Sequence, residues 1–173
     1  MDFFEYIKQV GNEIILEKGT HLFRQGDENE FLHFIKEGTL KAYYNNADGK
    51  ETIKSFIMPN DIIGSLTSAY LGKKCSFSLK CLSDCKVIKF SFAKLVIDSS
   101  TNQQIANKMV EFLTIFAMKK EQREYELLCL SAEDRYRLLV NDKPDLLEMV
   151  TQNDIAKYLG ITPVGLSRIK NRQ

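Results

Sequence analysis

Near residue 100 the hydrophobic period of this chain changes, and that change restricts the folds open to it more than any other feature. Before it, from Asn12 to about Phe92, apolar residues fall in short runs around Ile14–Leu16, Phe31–Ile35, Leu40–Tyr44 and Thr52–Ile57. Stretches rich in Gly, Asn, Asp or Pro separate them: RQGDEN, EGT, NNADGK and MPND. Short strands at such regular spacing predict a barrel or sandwich. The Asp-Gly pair of ADGK marks a hairpin, because it readily supplies the positive φ that tight turns need. Beyond the change, Ile105, Met109, Phe112 and Phe116 recur at three- and four-residue spacing, with no Gly or Pro from Ser100 to Leu128. That predicts one long amphipathic helix, its stripe widened by Leu113 and Ala117. The stripe ends in the charged run KKEQREYE, and a second copy of the helix is the economical way to bury it. The four named residues are therefore the expected dimer contacts.

A chain of 173 residues has room for one domain and a small appendage, and 44% hydrophobic content is that of a globular protein. No apolar run approaches the roughly 20 residues of a membrane helix. The opening MDFFEYIKQVGNE lacks a basic leader, an apolar core and a cleavage site, so the expectation is a cytoplasmic protein with no membrane partner. A net charge of +1 leaves any polyanionic partner to be met by a local patch. Cys75, Cys81 and Cys85 are separated by five and three residues, which matches neither paired zinc ligands nor common iron–sulfur spacings. They read as structural thiols. His21 and His33 have no partner at metal-ligand spacing. Neither a metal nor a cofactor is expected, and no nucleophile–base constellation suggests an enzyme.

Ser131 and Asp134 restart a helix in a pattern close to a capping box, and RYRLLVNDKPDLLEMV continues an all-helical tail. Its last segment, Thr151–Gln173, reads as a helix-turn-helix. Ile155, Ala156 and Leu159 form one apolar face, and Gly160 stops the first helix in a left-handed conformation. Thr162 caps the second helix and Pro163 occupies its first turn. Leu166 and Ile169 hold that helix in place, leaving Gly165, Ser167, Arg168, Lys170 and Arg172 for a ligand. Four cations against Asp154 give this segment a charge of +3, while the whole chain carries +1. A DNA major groove suits small and basic residues of this kind.

With those residues in place, the chain resembles the cyclic-AMP receptor protein and fumarate–nitrate regulator (Crp/Fnr) superfamily of bacterial transcription factors. The resemblance runs over nearly all of it. The R-x-G-D turn at Arg24–Asp27, the K-E-G turn at Lys36–Gly38 and the closing LKCLSDCKVIKF resemble the family's β-roll, and DIAKYLGITPVGLSRI resembles its DNA-reading motif. The wording of the tail is most similar to short regulators of the Bacteroidetes type. The implied fold is α+β: an N-terminal jelly-roll-like double-stranded β-roll, a long dimerisation helix and a C-terminal helix-turn-helix domain without an evident wing. The corresponding division is 1–99, 100–128 and 129–173.

The same resemblance bears on the ligand. Cyclic-AMP-binding members carry a phosphate cassette that begins Gly-Glu and, ten residues after that Glu, has Arg-Ser. Here Gly64 is followed by Ser65 and Leu66, and Cys75 precedes Ser76. A cyclic phosphate without its guanidinium loses about 2–4 kcal/mol. The expectation is a degenerate pocket, unresponsive to cyclic AMP, whose effector is another small molecule or none. A reactive thiol at Cys75 is a further reading. The cysteine cluster of oxygen-sensing relatives has no counterpart in Met1–Thr20.

In the reading helix the family's Ser-Arg pair falls on Ser167 and Arg168, the implied base readers. Val164 replaces a glutamate that reads cytosine, and suits a thymine methyl. Phosphate contacts then fall to Gln152, Thr162, Lys170 and Arg172. The implied function is a homodimeric regulator bound to a two-fold symmetric operator in double-stranded DNA, with RNA polymerase as a further partner. The competing reading is a small-molecule sensing module without DNA-binding activity. A cupin-type metalloenzyme on a similar barrel would need clustered His and Glu ligands, which the sequence lacks.

Overall fold

The computed structural model describes residues 3–172. In chain order they form α1 (Phe3–Val10), β1 (Asn12–Leu16), β2 (His21–Phe23), β3 (Phe31–Glu37), β4 (Leu40–Asn45), β5 (Glu51–Ile57), β6 (Ile62–Ile63) and α2 (Leu66–Leu71). There follow β7 (Ser78–Cys81), β8 (Cys85–Ser91), α3 (Phe92–Thr101) and α4 (Gln103–Cys129). The helices α5 (Ala132–Asp142), α6 (Pro144–Met149), α7 (Gln152–Leu159) and α8 (Pro163–Lys170) complete the chain. The strands form two four-stranded antiparallel sheets, ordered β1-β8-β3-β6 and β2-β7-β4-β5. All four strands expected from alternation are present, each within two residues of its expected limits. The Asp-Gly turn joins β4 to β5, where Asn46 Oδ1 accepts from the amides of Asp48 and Lys50. At the R-x-G-D turn, Asp27 Oδ2 accepts from the Arg24 amide at 2.8 Å.

Between the two sheets lies an apolar core that includes Ile35, Leu40, Leu79, Val87, Cys75, Cys81 and Cys85. The outer faces are covered as well. Against β3 and β8, residues Tyr6 and Ile7 of α1, Leu95 of α3 and Ile105 of α4 bury Phe34, Ile88 and Phe90. Against β4 and β5, the C-terminal helices bury Tyr43, Ile53 and Phe56 under Tyr136, Ile155 and Leu159. Strands covered on both faces lose the clean alternation of a half-exposed sheet, and the four consecutive buried residues of β3 show it.

Two expectations change here. The long helix starts at Gln103, because Asn102 breaks the chain from α3 and caps α4, its side chain accepting from the Gln104 and Ile105 amides. Its apolar stripe is also used differently. Ile105, Met109 and Phe112 pack into the cluster over β3 and β8, and Phe116 packs on the inner core of the roll. These four expected dimer contacts therefore seat α4 on its own roll. The residues left exposed on α4 include Val110, Met118, Tyr125 and Leu128. At 100° per residue these four lie within about 80° of one another, on the face opposite the buried stripe.

Arg135 of α5 ties the C-terminal unit to α4. Its guanidinium donates to the backbone carbonyls of Glu126 and Leu130 at the end of α4, and to that of Leu159 at the end of α7. Carbonyls at helix ends lack intrahelical donors, so one side chain satisfies two helix termini at once.

Candidate nucleic-acid interface

The last two helices fold on short-range rules. Thr151 caps α7, its hydroxyl oxygen accepting from the Asp154 amide at 3.1 Å. Gly160 ends α7 at φ 70°, a left-handed conformation that strains any residue with a Cβ. Thr162 then accepts from the Gly165 amide at 3.1 Å, and Pro163 fills the first turn of α8. Ile155, Ala156, Leu159 and Leu166 are all but sealed from solvent, and Ile169 packs half-buried beside them. Burying the apolar face of α8 through Leu166 sets the rotation of that helix and turns its other face outward.

On that outward face stand Val164, Ser167, Arg168 and Lys170, followed by Arg172, with Thr162 exposed at the N-terminus of α8. Lys170 Nζ donates to Gln152 Oε1 at 3.1 Å, so these two expected phosphate contacts are held together across the motif. Among the described residues the guanidinium groups of Arg168 and Arg172 enter no hydrogen bond or ion pair. Gly165 is half-buried, with its amide on Thr162. A Cβ there would meet nothing closer than 3.4 Å, so packing does not demand glycine at this position.

Two charges of the tail turn the other way. Asp154 is 7% exposed and accepts from Lys41 Nζ of β4 at 2.9 Å, while Lys41 also donates to Glu51 of β5 at 2.6 Å. Lys157 reaches the same Glu51 oxygen at 3.3 Å. Burial acts to raise the Asp154 carboxyl, but bonds from Lys41 and Thr151 outweigh it and hold the group below its ordinary value. For Lys41, burial acts downward and is likewise outweighed by Glu51 and Asp154, leaving it raised. Sequence reasoning missed this latch between roll and tail. Its one local trace is a lysine between Leu40 and Ala42 in a strand buried on both faces. The positive patch is therefore carried by Arg168, Lys170 and Arg172 alone.

At the cassette positions the structure places local packing. A Cβ on Gly64 would lie 2.5 Å from Leu32 Cδ2 and 2.9 Å from the Phe31 carbonyl oxygen, so glycine there is a requirement of β3. Ser65 is buried as the cap of α2 and accepts from the Ser68 amide. Leu66 packs toward α1 and α3, and Ser76 is exposed. Cys75 is 2% exposed, and its backbone bonds Gly26 and Asp27. A thiol so enclosed is a packing element. Among the described residues no group of His, Cys, Asp and Glu is placed to hold a metal ion, and no helix is long and apolar enough to cross a membrane.

Comparison with known proteins agrees with this architecture. Residues 13–96 match the family model described as "Cyclic nucleotide-binding domain". The chain is 25% identical to the anaerobic regulatory protein of Bacillus subtilis over 97% of its own length and 75% of that protein's. It is 26% identical to the fumarate and nitrate reduction regulatory protein of Salmonella typhi, over 91% of this chain and 66% of that one. It thus spans about two thirds to three quarters of the length of these relatives. The solved structure of FixK2 from Bradyrhizobium japonicum superposes with a TM-score of 0.81 at 19% identity, covering 94% of this chain and 84% of that one. In its matched domain, its relatives over nearly the whole chain and its fold, this protein is similar to regulators of the Crp/Fnr type.

Proposed function

We propose that the chain is a homodimeric, DNA-binding transcriptional regulator in which α8 reads the major groove. The observation that carries this reading is the outward face of α8. Small Ser167 and Arg168, which has no partner among the described residues, sit side by side there, while Leu166 is locked into the core. Arg168 suits a guanine edge or a phosphate, Ser167 suits either, and Val164, 61% exposed, suits a thymine methyl. Gln152, Thr162, Lys170 and Arg172 flank them as phosphate contacts. The relatives named above are regulatory proteins, which supports the same reading.

Dimerisation follows from α4, through the exposed Val110, Met118, Tyr125 and Leu128. Pairing along that face buries a stripe that water otherwise covers, and it sets two copies of α8 about a symmetry axis. The expected spacing is one turn of duplex, about 34 Å. The division 1–99, 100–128 and 129–173 describes sensor, dimer helix and reading unit in this scheme. Cyclic AMP is not its effector, because Ser65 and Cys75 serve α2 and the core. Selection of bound sequences from a random duplex pool tests the whole reading. A two-fold symmetric consensus with half-sites one turn apart is the expected result. Recovery of no enriched sequence in dilute buffer would overturn it.

A further inference from the structure

A cleft of about 550 Å³ opens between the roll, α4 and the C-terminal helices. Lys54 and Ser55 of β5 line one side, Phe116, Lys120 and Arg123 of α4 another, and Arg135 of α5 and Tyr158 of α7 the third. None of the cassette residues borders it. Its volume is that of an ordinary small-molecule site.

The charge of this cleft is not neutralised from within. Six cationic side chains line it, against the carboxylates of Asp61, Glu126 and Asp142. Lys119 takes Asp61 at 2.6 Å. Glu126 accepts from Gln122 at 3.1 Å and stands 3.6 Å from Arg123, while Asp142 and Lys143 are both exposed at the end of α5. Lys54 and Lys120 adjoin one another, and neither has a carboxylate partner among the described residues. What they have instead is aromatic: Lys54 Nζ lies 4.0 Å over the Phe77 ring and Lys120 Nζ 4.9 Å over Phe116. Arg123 stacks 3.7 Å over Tyr158. Ring faces attract a cation far less than a carboxylate does.

A second observation points the same way. Five buried side-chain nitrogen or oxygen atoms lack a hydrogen-bond partner among the described residues, and four of them belong to Ser55, Arg123 and Arg135. All three residues border this cleft. Buried polar atoms are normally satisfied, so a cluster of exceptions at one cavity calls for an acceptor that enters it.

We propose that the cleft binds a small organic anion with a doubly charged head and an apolar body, the head on Lys54, Lys120 and Arg123 and the body against Phe116 and Tyr158. Such a ligand replaces the missing counter-charge and brings acceptors to the unpaired donors. Because its contacts come from the roll, α4 and the C-terminal unit, its binding favours their present arrangement over any in which the cleft is open. The inference does not depend on what α8 binds, and each can fail without the other.

Phenyl phosphate is the probe, since a phosphate ester with a second pKa near 6 is a dianion at pH 8. Burial, and then the charge of Lys120, push Lys54 down to about 7, so at pH 8 its amine is mostly neutral in the free protein. A bound dianion charges it again. Calorimetry on the full chain at pH 8, in two buffers of different ionisation heat, should show saturable binding with uptake of roughly one proton. Inorganic phosphate, lacking the body, should bind about tenfold more weakly, the scale of one partly buried ring. Phthalate serves as the dicarboxylate arm, and the tighter of the two aromatic dianions identifies the head. Lys54→Met should weaken binding by about tenfold and abolish the proton uptake. Lys120→Met should weaken it similarly. Without ligand both variants should melt no lower than the parent, because each replaces an amine whose charged form burial disfavours with an apolar side chain of similar length, which separates lost binding from a lost fold. No saturable heat from either aromatic dianion at millimolar concentration would overturn the proposal. So would equal affinity in Lys54→Met, or binding without proton uptake.

Discussion

Arg168 presents its guanidinium, without a partner among the described residues, on the outward side of a helix whose inward side is fixed by Leu166. Removing the head group leaves the fold untouched, so the cost should fall on the DNA complex alone. Arg168→Ala is expected to weaken binding to a selected duplex by roughly 1–3 kcal/mol and to relax preference at one position. A gel-shift titration measures both. Cys75 represents the opposite situation. Placing an arginine there would force a guanidinium into an apolar core. Cys75→Arg should therefore lower stability by about 3 kcal/mol or more, read from the urea midpoint. Neither parent nor variant should give saturable heat with millimolar cyclic AMP. The signals at Gly160, Thr162 and Pro163 were legible because each acts within three or four residues. Lys41 and Asp154, 113 positions apart, were not, since nothing local records which distant partner a buried charge will meet.

Among elements, α4 shows how far periodicity reaches. The spacing of Ile105, Met109, Phe112 and Phe116 established that a helix exists and which face is apolar. It did not establish what covers that face, because a roll and a second helix are equally apolar partners. The packing assigns the stripe to the roll and leaves the opposite face exposed. A double substitution, Val110→Glu with Met118→Glu, is expected to shift the chain to monomer by sedimentation equilibrium without altering its circular dichroism. Phe112→Ala should instead destabilise the roll itself, by about 2–3 kcal/mol for a half-buried aromatic. The strands β1, β3, β4 and β5 were legible through their turns, whereas β2 and β6, two or three residues long, carry too little pattern to read. The helix α3 was not, because ten residues between a strand and a longer helix carry a weak periodic signal, and the stop at Asn102 depends on a side-chain cap.

For the whole molecule, the roll and the C-terminal helices meet across the latch of Lys41, Glu51, Asp154 and Lys157. Lys41→Met leaves two carboxylates facing one another and should cost about 3 kcal/mol at neutral pH. The pH dependence has a definite sign. A lowered Asp154 pKa contributes stability above its ordinary value of 3.8 that is lost as pH falls through the folded value, and a raised Lys41 contributes stability below 10.5 that is lost as pH rises past its own. The gap between parent and variant should thus stay level from about pH 5 to pH 9 and narrow as pH falls below 3.8, in urea titrations down to that region. On the far side of the same junction, Arg135 grips the ends of α4 and α7 with one rigid plane of donors. A planar fork fixes direction as well as distance. The junction therefore behaves as a keyed coupling, in which torque on the long helix reaches the motif undiminished. Lysine in its place would leave a swivel that passes tension and no twist.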